Sequence, residues 1–270
     1  MMIPLKHIRN FIVDMDGVLW HGDVPLPGMV EFFAVLRRRG LRFVLATNNA
    51  GKTGAEYVAK LARMGVAVTA DEIITSPQAT AAYLAQHVAD ARIYVVGSPS
   101  LTAELRARSL TVVQPNEEST ANCVVVGGIV GYLTYQNLAE ACLLIRAGAK
   151  FFGTNPDLTF PSERGIVPGN GAILEALRVS TGVAPLVIGK PQPEMMVQAM
   201  QRMNGNPTDT AVIGDRLDTD ILGGRNAGLT SLLVLTGVTT AAQAEIDPIK
   251  ADYIFESIGA VADLLTNGSW

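Results

Sequence analysis

The stretch Ile8-Arg9-Asn10-Phe11-Ile12-Val13-Asp14-Met15-Asp16-Gly17-Val18-Leu19 decides the fold. Ile8 to Val13 is a short, largely apolar run of the kind found in strands buried on both faces, and it stops abruptly on two carboxylates and a glycine. In an open parallel sheet, ligands collect just beyond the carboxyl ends of the strands. Asp14 and Asp16 therefore stand where chemistry is done: Asp14 can face the pocket from the strand end, Asp16 can turn in from the loop, and Gly17 relaxes the backbone there. An acidic turn with no chemistry is the plainer reading of the same residues.

Working outward, Val/Ile/Leu-rich runs alternate with stretches of helical period, the rhythm of βα units building a parallel sheet. Gly28 to Arg39 reads as a helix, with Met29, Phe32, Phe33 and Leu36 on one face, Arg37, Arg38 and Arg39 at its negative end and Gly40 as its stop. A strand from Leu41 to Ala46 and a helix whose Tyr57, Leu61 and Met64 share a face follow. The middle third carries its own strands, Ala91 to Val96, Asn122 to Val126 and Lys150 to Thr154. The opening rhythm then resumes with strands Pro185 to Ile188, Asp209 to Ile213 and Leu229 to Leu235, and helices Pro193 to Met203 and Asp218 to Ala227. The expected architecture is a doubly wound, Rossmann-like α/β core (residues 1–81 and 186–270) interrupted by an α/β insertion over residues 82–185.

Composition narrows the function. With 49% apolar and 17% charged residues among 270, the chain has ample material for a packed core. A net charge of -4 with scattered Lys and Arg argues against nucleic acid as partner. No apolar run is long enough to cross a bilayer and Met1 to Asn10 hold no signal-peptide segment, so no membrane partner is expected and the expected location is the cytoplasm. Cys123 and Cys142 show neither metal-ligand spacing nor a disulfide framework and read as buried free thiols; His7, His21 and His87 lie too far apart for a zinc site. Met195, Met196, Met200 and Met203 read as core filling.

Three further polar sites follow expected strands. Thr47-Asn48-Asn49 offers a hydroxyl, two amides and backbone N–H groups to phosphoryl oxygens. In Gly189-Lys190-Pro191, Lys190 supplies a fixed positive charge for a phosphate and for crowded carboxylates. In Gly214-Asp215-Arg216-Leu217-Asp218-Thr219-Asp220, Asp215 is placed like Asp14 and can share a cation with it, as Mg²⁺ asks for one or two carboxylates beside waters and a phosphate. Asp218 reads as a helix-start residue, and Asp220 stands open between that role and support of the site. Nucleophile, acid, oxyanion ligands, cation and metal ligands thus meet in one set of strand ends.

In these four motifs, their order and the insertion between the second and third, the chain resembles the haloacid dehalogenase superfamily, and within it the NagD-like p-nitrophenylphosphatase branch, nearly end to end. The resemblance implies a phosphatase of small phosphorylated metabolites such as sugar phosphates, nucleoside monophosphates, phosphoglycolate or glycerol phosphate. It gives Asp14 the part of nucleophile, Asp16 that of general acid and base, Thr47 that of phosphoryl ligand and Lys190 that of a clamp. It also implies Mg²⁺ held by the Asp14 carboxylate, the Asp16 main-chain carbonyl and Asp215. The insertion resembles that branch's cap, with Thr154-Asn155-Pro156-Asp157 and Pro168-Gly169-Asn170-Gly171 resembling its later signature and Phe160 a candidate for shaping the leaving-group pocket. A homodimer is left open.

Rival readings explain less. Ala46 to Thr53 ends like a P-loop but begins with alanine, and a nucleotide triphosphatase would leave Asp14, Asp16 and Lys190 idle. A non-enzymatic phosphoacceptor module has no use for the acid and base that Asp16 supplies. A dehalogenase is disfavoured by Lys190 and Asp215, while a phosphomutase on the same core stays open.

Overall fold

The computed structural model describes residues 5–113, 121–162 and 165–267. The chain divides into two compact units, one made of residues 1–47, 54–74 and 190–270, the other of residues 48–53 and 75–189.

The first unit is built on a six-stranded sheet in the order Tyr253–Phe255, Thr230–Val234, Thr210–Gly214, Asn10–Val13, Arg42–Thr47, Ile73–Thr75. Asn10–Val13 pairs in parallel with both neighbours, placing Val13 beside Ile213 on one side and Leu45 on the other. From this central strand the chain first builds towards Ile73–Thr75 and later, from Thr210, towards Tyr253–Phe255. The order therefore reverses between Asn10–Val13 and Thr210–Gly214, and a sheet of this kind opens a crevice at that point. The central strands are buried throughout, as their unbroken apolar runs require. Phe11, Val13, Leu45, Ala211, Ile213 and Leu232 share one core with Phe32 and Leu36 of the helix Met29–Arg39, where Phe11 meets Phe32 edge-on at 6.4 Å. That helix ends on Gly40 in the left-handed conformation, whose N–H returns to the Leu36 and Arg37 carbonyls, and its three last-turn arginines complement the dipole. Met195, Met196, Met200 and Met203 are all buried.

The second unit holds a five-stranded sheet ordered Leu186–Val187, Lys150–Gly153, Cys123–Gly127, Arg92–Gly97, Thr111–Val113, with every neighbouring pair parallel. One face is covered by a cluster with Leu84, Leu101 and Leu105, the other by one with Ile145, Leu174 and Leu177. Cys123 is buried in the former; Cys142 is half-buried, and both are free thiols. A separate hairpin pairs Thr159–Ser162 with Gly165–Pro168.

Two expectations are corrected. The strand expected at Pro185 to Ile188 shrinks to Leu186–Val187 and joins the second unit's sheet beside Lys150–Gly153, so Lys190 does not follow a strand of the sheet that carries Asp14. Leu186 is 47% exposed, which suits an edge and not a central core strand. The helix expected from Asp218 to Ala227 begins instead as a wide π-type turn over Leu217–Ile221 and continues as Leu222–Asn226.

Candidate active site

Asp14 follows directly on the central strand, and its N–H donates to the Ile213 carbonyl at 2.8 Å, continuing the ladder one step past Val13. Asp215 follows directly on Thr210–Gly214, and Thr47 is the last residue of Arg42–Thr47. Three chemistry-bearing residues thus leave three adjacent strands at the same edge. Lys190 joins them from the start of the chain's last segment: its ammonium, 3% exposed, donates to Asp14, to Asp220 Oδ1 at 2.6 Å and to the Ala46 carbonyl at 3.1 Å. Asp220 is 1% exposed, and its second oxygen accepts from the Arg216 N–H at 3.2 Å across the wide turn.

Asp215 is clamped from both ends, its carboxylate accepting from the Val238 N–H at 2.7 Å and its carbonyl from the Thr239 N–H at 3.1 Å. Two glycines make room for it. A Cβ on Gly237 would stand 1.9 Å from Asp215 Oδ2 and one on Gly17 2.6 Å away, and Gly17 also needs its left-handed φ of 83°.

Carboxylate oxygens of Asp14, Asp215 and Asp220 lie within 4.8 Å of one another. Fully ionised, three carboxylates and one ammonium carry two negative charges in excess. Burial, followed by the Asp220 charge, raises the Asp215 carboxyl to about 7. Burial likewise pushes Asp14 well above the usual carboxylate range, against the pull of Lys190. Lys190 is held above the ordinary lysine range by Asp14 and Asp220, which overcome the opposing effect of its burial. A compact, all-oxygen set with this excess charge fits a hard divalent cation such as Mg²⁺.

Asp16 is exposed on the loop, with Trp20 Nε1 donating to its Oδ1 at 2.7 Å. Tyr57, buried in the helix Gly54–Arg63, lies beside Thr47 and feels the charges of Asp16 and Asp14; its phenol is pushed far above the usual range, first by burial. Thr47 itself is 3% exposed.

The other expected residues belong to the second unit. Asn48 donates to Asp157 Oδ1 at 3.2 Å, and its carbonyl accepts from Ser76 Oγ and Asn155 Nδ2. Asn155 in turn offers its carbonyl to Asn170 Nδ2 at 2.8 Å, so the Thr154–Asp157 and Pro168–Gly171 motifs meet in one buried polar network. Asn49 closes a short turn by accepting from the Gly51 N–H. The Phe160 backbone pairs with Val167; its side chain lies outside the described residues.

The structure thus brings Asp14, Lys190, Asp215 and Asp220 into one cluster, with Thr47 ending the adjoining strand. Asp218 is exposed and paired with Arg216, in keeping with a role at the turn, while Asp220 is the member that spacing left undecided. Trp20 was missed. The signal for it was weak: a tryptophan four positions beyond Asp16 in an otherwise apolar stretch.

A model of haloacid dehalogenase-like hydrolases matches residues 11–111, and a second, related hydrolase model matches residues 187–261. An acid sugar phosphatase of Staphylococcus saprophyticus is 36% identical over 257 residues, covering 95% of this chain and 98% of that protein. Among solved structures, a 4-nitrophenylphosphatase from Thermotoga maritima superposes with a TM-score of 0.91 at 37% identity, covering 97% and 98% of the two chains. A glycerol phosphate phosphatase from Mycobacterium tuberculosis, solved in complex with magnesium, superposes with a TM-score of 0.88 at 37% identity, covering 98% of this chain and 80% of that one. Among the described residues, no helix is long and apolar enough to cross a membrane.

Proposed function

Because the chain belongs to the haloacid dehalogenase superfamily, in its NagD-like p-nitrophenylphosphatase branch, and is a phosphoric monoester hydrolase, we propose that it is a magnesium-dependent phosphatase of small phosphorylated metabolites that works through a phosphorylated Asp14. The observation that carries this reading is the buried cluster in which the Asp14 carboxylate is paired with Lys190 and lies within 4.8 Å of Asp215 and Asp220 carboxylate oxygens.

Asp14 attacks phosphorus, and the leaving oxygen departs with a proton from Asp16. In the second half-reaction Asp16 takes a proton from water, which attacks the phosphoaspartate and frees Asp14. Splitting hydrolysis into two displacements gives each its own in-line geometry. Lys190 orients Asp14 and, with the Thr47 hydroxyl, faces the phosphoryl oxygens, where positioning and charge neutralisation supply most of the catalysis. Asp14 and Asp215, with Asp220 close by, are the carboxylates that would hold Mg²⁺. When bound, the cation would balance the excess charge of the cluster and the phosphoryl oxygens.

Substrate choice is assigned to the second unit, in which the resemblance sees a cap. Relatives named for sugar and glycerol phosphates put alkyl phosphates at the head of any substrate panel. The test is phosphate release from p-nitrophenyl phosphate and from such a panel, with Mg²⁺, with EDTA and after Mg²⁺ is restored. Activity that is lost in EDTA and returns with Mg²⁺ supports the proposal; full activity in EDTA overturns the metal assignment. Transfer of phosphate to an added sugar in place of water would mark a phosphomutase.

A further inference from the structure

Asp16 is exposed on an otherwise buried loop, and its partner is fully buried. Trp20 is 0% exposed, and a buried indole N–H needs an acceptor; here it is Asp16 Oδ1, at 2.7 Å. The loop between them is closed by its own backbone: the Gly17 N–H donates to the Trp20 carbonyl at 2.9 Å, and the Leu19 N–H to the Met15 carbonyl at 2.8 Å.

The indole is held in turn by the helix Gly54–Arg63. Tyr57 stacks near-parallel to it, with ring centroids 6.4 Å apart and planes 19° apart. One turn on, the Lys60 ammonium sits 4.2 Å from the indole centroid. Lys60 is 5% exposed and fixed by donation to the Gly22 carbonyl at 2.6 Å. A desolvated cation over an aromatic face is among the stronger of such contacts. The chain Lys60, Trp20, Asp16 therefore ties an exposed carboxylate to the buried face of a helix.

We propose that Trp20 is a positioning residue for proton transfer by Asp16. By binding Oδ1 it fixes the carboxylate's rotamer and leaves Oδ2 to meet the leaving oxygen. The inference rests on Asp16 being the general acid, and nothing in it requires Trp20 to touch the substrate.

The experiment compares p-nitrophenyl phosphate with phenyl phosphate, two esters of nearly the same shape. Phenol ionises near pH ~10, as the tyrosine side chain does, so its departure needs a proton more than that of nitrophenolate. The readout is the single-turnover burst of phenol or nitrophenol in wild type, Trp20→Phe, Asp16→Asn and the double variant. Loss of a hydrogen bond that holds the protonated acid in position should cost about fivefold to tenfold, so Trp20→Phe should slow the phenol burst by that factor and the nitrophenol burst by less than about threefold. In the Asp16→Asn background, Trp20→Phe should add nothing.

Equal slowing of both bursts, or a Trp20→Phe effect that persists in full without Asp16, would show that the indole only packs and would overturn the proposal. If Asp16→Asn itself slows both bursts equally, the assignment of Asp16 falls and the proposal falls with it, a result distinct from the former. Should Trp20→Phe fail to fold, a benzothienyl side chain at position 20, which keeps the bicyclic shape and lacks the N–H, carries the same comparison.

Discussion

Asp220 Oδ1 accepts from Lys190 Nζ at 2.6 Å, and neither side chain is more than 3% exposed. The pair ties the wide turn Leu217–Ile221 to the lysine that also holds Asp14. Asp218, two positions earlier in the same turn, is exposed and bound only to Arg216 among the contacts described. Asp220→Asn keeps the shape and removes the charge, so Lys190 keeps Asp14 and the Ala46 carbonyl but loses its second charged partner. Turnover should fall by about tenfold or more, as expected for a lost charge-assisted hydrogen bond, while Asp218→Asn stays within about twofold of wild type. Steady-state phosphate release decides it; equal effects of the two substitutions would show that burial of Asp220 has no catalytic meaning.

Metal binding should be visible in stability as well as in rate. A cation bound only by the folded chain stabilises it by about 2.7 kcal/mol at a hundredfold excess over its Kd. For a chain of this size that is a rise of roughly 5 to 10 °C in the melting temperature. Asp215→Ala should abolish the Mg²⁺-dependent rise in a thermal melt. An undiminished rise in that variant would place the cation elsewhere.

The two aspartates of the first motif should separate by leaving group. Asp14→Asn should abolish the burst with every ester, because an amide is a poor nucleophile and no phosphoaspartate can form. Asp16→Asn should slow the burst far more with a sugar phosphate than with p-nitrophenyl phosphate, within the ~10²- to 10⁴-fold range of positioned proton transfer. Steady-state rates would blur this, since the proposed mechanism also uses Asp16 as base in the second step. A burst retained in Asp14→Asn would reverse the assignment.

Phe160→Ala tests whether the second unit selects substrates. Relative rates across a panel of metabolites should shift by more than the rate on p-nitrophenyl phosphate changes. Uniform effects on every substrate would make Phe160 a structural residue of its hairpin.

The strand ends were legible in the sequence because a buried parallel strand is an apolar run, and the polar residue that stops it marks the edge where ligands bind. Asp14, Thr47 and Asp215 were expected at strand ends in this way, and all three stand there. Lys190 was expected in the same way, but its strand proved to be an edge strand of the other unit's sheet; two residues are too short for periodicity to assign a sheet. Asp220 could not be settled, since acidic residues at a helix start look alike until burial separates them. Trp20 was not singled out, because nothing in a sequence marks a side chain that is fully buried and still turns one polar atom towards an exposed carboxylate.

The parallel pairing of the central strand has a consequence for the order in which the protein is made. Residues 75–189 form a nearly continuous segment with a sheet of its own, so this half can condense while the ribosome is still at work. The other half cannot. Asn10 waits for Asp209, 199 positions later, to bond to its amide, and Asp14 for Lys190, 176 positions later. Closing such long loops is slow, so the central strand emerges early and stays without its later neighbour until most of the chain exists. A nascent chain therefore carries no assembled Asp14 cluster until Lys190, Asp215 and Asp220 have all been made.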